Sequence, residues 1–147
     1  MKLPPNTIFF TDRDLAKQFP AILAASGLKV EPYHAHFDQD TTDPEWLTEV
    51  GRRGWYVLSK DWHMRYRDRE RDAIMSSGVG AFIIKGNATH SEHARAFVKT
   101  LGPVLRFIER HPRPFIAKVY RPSQGRTSGR VEMWLSEEEW RAWHAIE

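Results

Sequence analysis

Three aspartates, Asp12, Asp43 and Asp61, have the type and placement to do chemistry in this chain. Asp12 follows the apolar run Ile8-Phe9-Phe10, Asp61 follows "WYVLS", and Asp43 precedes Pro44 where a helix signal opens. If the apolar runs are strands of one open α/β sheet, all three carboxylates gather at the strands' carboxyl ends, where such sheets bind ligands. That gathering is unfavourable by itself. Two like charges about 4 Å apart repel by roughly 4 kcal/mol at an effective dielectric near 20. Protons, basic side chains or a divalent cation must offset it. The chain has no cysteine, so no thiolate can serve as ligand or nucleophile. Hard oxygen donors favour Mg²⁺ or Mn²⁺, and such an ion activates water and stabilises the oxygens of an in-line displacement at phosphorus. Basic and aromatic residues accompany the same motifs. Arg13, Lys60 and Arg65 suit phosphate, with Arg67, Arg69 and Arg71 nearby, and Trp62 and Tyr66 could stack on exposed bases.

The elements that must position these residues are legible in turn. "IFF" is a short buried strand. "PAILAASG" reads as a short helix with Pro20 at its first position and Gly27 at its stop. "LKVEPY" alternates and contains Pro32, which suits an edge strand. "DPEWLTEVGRRG" is a helix with Asp43 able to cap it, Pro44 at N1, and Trp46, Leu47 and Val50 on one face. "WYVLSKD" is a strand, "RDRERDAIMSSG" a charged helix, and "VGAFIIKG" a strand. Thr89 and Glu92 fit a capping box for a long helix that Gly102-Pro103 should kink or split. The alternation of strand and helix predicts an α/β sandwich with a largely parallel sheet. The tail departs from it: "PFIAKVYR" and "RVEMWL" read as a hairpin, then Ser136 and Glu139 cap a short final helix. The division expected is residues 1–110 as the main domain, with 111–147 a hairpin and helix packed on it.

Bulk properties bound the function. With 147 residues the chain is one domain by length, 41% hydrophobic and 28% charged. No run is apolar enough for a membrane span, and "MKLPPNT" has no apolar h-region, so no membrane association and a cytoplasmic location are expected. The net charge of +3 permits a polyanionic partner without requiring one.

"FFTDRDL", "DPEWLTEVGRRGWYVLSKD" and "RERDAIMSSGVGAFII", in that order and spacing, resemble the PIN-like domain of VapC-type toxins from type II toxin–antitoxin modules. The resemblance covers roughly residues 7 to 110. It implies a PIN-like three-layer sandwich, a Mg²⁺- or Mn²⁺-dependent endoribonuclease acting on RNA, and a cognate antitoxin protein as partner; a homodimer is compatible with it. By similarity, Asp12, Asp43 and Asp61 take the places of the catalytic, metal-binding acids, Asp61 closing the motif Ser59-Lys60-Asp61. A fourth acid has three candidates, Asp14, Glu45 and Glu70. If the set is incomplete, the alternative is a catalytically inactive PIN-like module that binds RNA or protein. "FFTDRD" also superficially resembles the opening of aspartyl-phosphate phosphatases, but the later lysine and hydroxyl positions fit Lys85 and Thr89 only loosely.

Plainer readings stand beside these. Asp14 reads as a turn or cap residue entering a helix. His34 and His36, followed by Asp38 and Asp40, read as solvated loop residues, and His90 and His93 as surface residues. The "RYRDRERD" run reads equally well as a solvated helix face with internal ion pairs. The loop from Arg126 to Arg130 is either a hairpin tip or a contact for RNA or an antitoxin.

Overall fold

A computed structural model describes residues 7–146, with side chains from 7 to 143. Residues 1–6, the stretch that lacks an apolar h-region, lie outside the described residues. The elements are β1 (Phe9–Thr11), α1 (Gln18–Ala25), β2 (Val30–Pro32), α2 (Asp43–Arg53), β3 (Tyr56–Ser59), α3 (Asp68–Ser76), β4 (Gly80–Ile84), α4 (His90–Lys99), α5 (Leu101–Arg110), β5 (Phe115–Tyr120), β6 (Arg130–Ser136) and α6 (Glu137–Ile146). One six-stranded sheet runs in the order β2-β1-β3-β4-β5-β6. All neighbours are parallel except β5 and β6, which form the antiparallel hairpin. Among the described residues no helix is long and apolar enough to cross a membrane.

Two-residue alternation along the strands builds the three layers. Phe9, Leu58 and Phe82 face one side and pack with Phe19, Leu23, Phe97, Val104 and Phe107 of α1, α4 and α5. Their neighbours Phe10, Val57, Ala81 and Ile83 face the other side, against Trp46, Leu47, Val50 and Ile74 of α2 and α3. The central strands β1, β3 and β4 are buried on both faces, which is why they read as unbroken apolar runs. Leu135 and Trp140 bring β6 and α6 onto the second of these cores.

Several boundaries differ from the sequence expectation. Thr42, not Asp43, is the N-cap of α2: it is extended, and its hydroxyl accepts from the Glu45 amide at 3.4 Å. Pro44 is therefore second in the helix, and the Asp43 carboxylate is free for other partners. α1 starts two residues before Pro20, still within the first turn that tolerates a missing N–H. Gly54, at φ 73°, ends α2, whereas Gly51 lies inside it because a Cβ there would run into the carbonyl of Ser77 at the end of α3. The long helix splits at Thr100, three residues before Pro103, and the buried Thr100 hydroxyl donates to the Ala96 carbonyl and accepts from the Gly129 amide. Both capping boxes form, Thr89 with Glu92 and Ser136 with Glu139.

Candidate functional site

Parallel pairing aligns the ends of β1 and β3, so the residues that follow each strand meet. Asp12 and Asp61 each accept from a backbone amide of the 3-10 turn they open, Arg13–Leu15 and Trp62–Arg65 respectively. Asp43 arrives from the first residue of α2. A cleft of about 350 Å³ is lined by Asp12, Arg13, Asp14, Asp43, Lys60, Asp61, Trp62 and His63. The three aspartates singled out by spacing thus share one cleft, and Asp14 joins them.

The tightest grouping is Asp12 with Asp14, joined through Ser59. Asp12 Oδ1 accepts from the Arg13 amide at 2.7 Å, and Oδ2 accepts from Ser59 Oγ at 2.9 Å. Asp14 Oδ2 accepts from the same Ser59 hydroxyl at 3.2 Å and from the Lys60 amide at 2.9 Å. Ser59 Oγ in turn accepts from the Asp61 amide at 3.0 Å. One hydroxyl proton is therefore divided between two carboxylates. Asp14 Oδ1 is buried and has no hydrogen-bond partner among the described residues. These features correct the reading of Asp14 as a cap: the cap of this turn is Asp12, and Asp14 points into the cleft.

The electrostatics follow from burial. Asp12, 5% exposed, has its pKa pushed up to about 7, first by desolvation and then by the Asp14 charge, against the Ser59 and Arg13 hydrogen bonds that favour ionisation. Desolvation raises Asp14 as well, opposed by the Lys60 amide and Ser59. The pair holds negative charge in a place that provides too little to balance it.

The other two aspartates are already engaged. Asp43 Oδ1 accepts from Arg13 at 2.8 Å and from the Trp46 indole at 2.8 Å. Arg13 also donates to the Gln39 carbonyl and lies over the Tyr33 ring, 4.6 Å from its centroid. Asp61 Oδ2 pairs with Arg67 at 3.0 Å, while Oδ1 accepts from the His63 amide at 3.1 Å. Of the other candidates for a fourth acid, Glu45 is exposed outside the cleft lining, and Glu70 meets Asp61 only through Arg67, at 3.5 Å.

Around the rim, Trp62 is 46% exposed and stacks on His63 at 3.8 Å, and Tyr66, 56% exposed, meets it edge-on at 6.0 Å. Arg65 does not line the cleft. It is partly buried over the rings of Tyr66 and Trp143. Lys60 Nζ stands 3.2 Å from His90 Nε2, which is also 3.1 Å from the Asp14 carbonyl oxygen. A single ring nitrogen cannot accept from Lys60 and donate to a carbonyl at once, so the two contacts alternate with tautomer. His90 is thus a member of the site. The available signal was its place directly after a capping Thr89 behind β4, at the same sheet edge. His93 is not a surface residue: α4 turns it inward to 1% exposure, and burial lowers its pKa.

Among the described residues, no three carboxylate or imidazole groups stand close enough together to enclose a metal ion. Mg²⁺ is held by one or two carboxylates, with waters and substrate phosphates filling its shell, rather than by an all-protein cage. The unpartnered Asp14 oxygen beside Asp12 is a donor of this kind.

Comparison with known families completes the description. A family model described as a PIN like domain matches residues 7–86, from before β1 to just past β4, and takes in all four aspartates. Curated proteins and solved structures give no match. The chain belongs to the PIN-like domain family.

Proposed function

From its membership of this family, whose superfamily is one of nucleases, we propose that the chain is a metal-dependent endoribonuclease that hydrolyses RNA phosphodiester bonds. The observation that carries the reading is the Asp12–Ser59–Asp14 arrangement, in which a buried carboxylate oxygen has no partner among the described residues. Asp12 and Asp14 would hold a Mg²⁺ or Mn²⁺ ion in place of the proton that burial favours on Asp12, with Asp61 and Asp43 reaching it directly or through water. When bound, such an ion lowers the pKa of a water and stabilises charge on the phosphoryl oxygens. The chain's own residues do the rest. Ser59 fixes the two carboxylates with one hydroxyl and ties them to the Asp61 amide. Asp43 and Tyr33 hold the Arg13 guanidinium at the cleft mouth, where it and Lys60 can receive non-bridging phosphate oxygens. Trp62, with one face on His63, offers its other face to a base.

The test is cleavage of an unstructured RNA with Mg²⁺ or Mn²⁺ and with EDTA. Wild type should cut only with metal, and Asp12→Asn or Asp14→Asn should lower the rate by about 100-fold or more. Cleavage that persists in EDTA, or full activity of Asp12→Asn, would end the reading.

The likeness of its motifs to VapC-type toxins supports a role as the toxin of a toxin–antitoxin pair, with the antitoxin as protein partner and the cytoplasm as its place of action. A reading frame for a small DNA-binding protein beside this one, whose product co-purifies with the chain and suppresses cleavage, is the expected result. One observation favours a second reading, a PIN-like module that binds without cutting: Arg13 and Arg67 already neutralise Asp43 and Asp61. RNA binding that ignores metal and yields no product would select it.

A further inference from the structure

The carboxyl edge of the sheet carries a gradient of charge. At β1 and β3 it presents Asp12, Asp14 and Asp61. Two strands further on, the same edge presents arginines, because β5 is parallel to β4 and ends at Tyr120, and β6 starts opposite it at Arg130. The connecting loop holds a cavity of about 320 Å³ lined by Arg121, Arg126 and Arg130 with Ser123, Ser128 and Gly129. Gly129 and Arg130 also line a second cavity of about 360 Å³ that runs down between α5 and β6, where Arg106 and Arg110 stand over Phe107 and Met133. Neither lining includes a carboxylate.

All five arginines are exposed. Arg130 pairs with Glu132 and lies 3.9 Å over the Tyr120 ring. Arg106, Arg110, Arg121 and Arg126 have no ion-pair partner among the described residues. Arg106 and Arg110 are four apart on one helix, a spacing at which like charges oppose each other. Arg121 packs on Gly86 in the loop after β4, where an added Cβ would stand 3.4 Å from its Nε. The basic trough therefore adjoins the loop that leads to His90, whose ring meets Lys60 of the acidic cleft.

We propose that this arginine trough, built almost wholly from residues beyond the matched 7–86, binds the phosphodiester backbone of an RNA strand whose adjoining segment enters the acidic cleft. Five guanidinium groups along two joined cavities match a linear array of phosphates, which releases counterions as it binds. Glu132 offsets Arg130, and the repulsion that remains among the other arginines is one an anionic ligand would relieve. The choice of RNA as that polyanion rests on the nuclease reading; the location of the trough does not.

The experiment is fluorescence anisotropy of a labelled, unstructured 20-nucleotide RNA in EDTA, so that no cleavage occurs, across a range of salt. Wild type should bind with a steep salt dependence. The log–log slope should become shallower by about 0.7 for each arginine removed in Arg106→Gln, Arg110→Gln and Arg126→Gln, singly and combined. Arg52→Gln on α2, exposed and paired with Glu49, should leave the slope unchanged. An unchanged slope in the triple variant, or no binding by wild type, overturns the proposal. So does loss in the variants of binding to polyglutamate but not to RNA, which would reassign the trough to an acidic protein. The two readings fail separately: RNA bound through the arginines but never cut with any metal refutes only the nuclease, and RNA cut with arginine-independent binding refutes only the trough.

Discussion

Replacing Asp12 by asparagine should abolish function and at the same time stabilise the metal-free protein. In the folded state burial and the Asp14 charge raise the Asp12 pKa from 3.8 to about 7. The native protein therefore binds this proton more tightly than the unfolded chain, so the pair's contribution to stability falls as pH rises from about 4 to about 7 and stays low above. About 3 pK units at 1.36 kcal/mol each set a ceiling of roughly 4 kcal/mol. Asp12→Asn keeps the acceptor for the Arg13 amide and can donate to Ser59 Oγ, leaving that hydroxyl to Asp14. The amide still has to be desolvated, so a gain of about 2–4 kcal/mol remains at pH 8. For a chain of this size that is roughly 5–15 °C in Tm. Thermal melts in EDTA at pH 8 and pH 4 measure it: the variant should melt well above wild type at pH 8, and the difference should vanish near pH 4. Mg²⁺ should raise the wild-type Tm more than that of the variant. An Asp12→Asn protein that melts at or below wild type at pH 8, or whose advantage is the same at both pH values, would refute the reasoning.

Three further changes probe the surroundings. Arg67→Gln removes the exposed partner of Asp61 and should tighten Mn²⁺ binding by up to about fivefold, the worth of a surface ion pair, as read by calorimetric titration. Gly51→Ala drives a Cβ against the Ser77 carbonyl between α2 and α3 and should cost about 1–3 kcal/mol in urea unfolding. Ala16, which closes the acidic turn at φ 57° and ψ −151°, should tolerate glycine with a gain of about 1 kcal/mol, because the strained conformation suits no other residue.

Much of this molecule was legible in its sequence, for identifiable reasons. β1, β3 and β4 are buried on both faces, and such strands announce themselves as apolar runs. The capping boxes at Thr89 and Ser136 carry their partners three residues away. Parallel order and the sheet-edge rule together placed Asp12, Asp43 and Asp61 in one cleft. What escaped depends on side-chain direction. The Arg13–Leu15 turn is too short to show a period, so nothing in "TDRDL" tells which carboxylate caps: Asp12 both caps the turn and lines the cleft, and Asp14, expected only as a cap, lines the cleft instead. Thr42 and Asp43 are both competent caps, and the choice was made by Arg13, which claims Asp43 from a distant part of the chain, together with Trp46 one turn further along α2. His93 looked exposed beside charged neighbours, yet the turn of α4 buries it. Of the arginine cluster only the stretch from Arg126 to Arg130 stood out in the sequence, because its link to Arg106 and Arg110 of α5 exists only where β6 packs beside that helix.

The central claim is that Asp12 and Asp14 form a pocket that a divalent cation completes. Titrating Mn²⁺ into wild type, Asp14→Asn and Glu45→Gln, followed by electron paramagnetic resonance, tests it most directly. Wild type should show one Mn²⁺ site, undisturbed by the exposed Glu45 change and lost in Asp14→Asn. Equal Mn²⁺ binding by wild type and Asp14→Asn, or none by either, would contradict it.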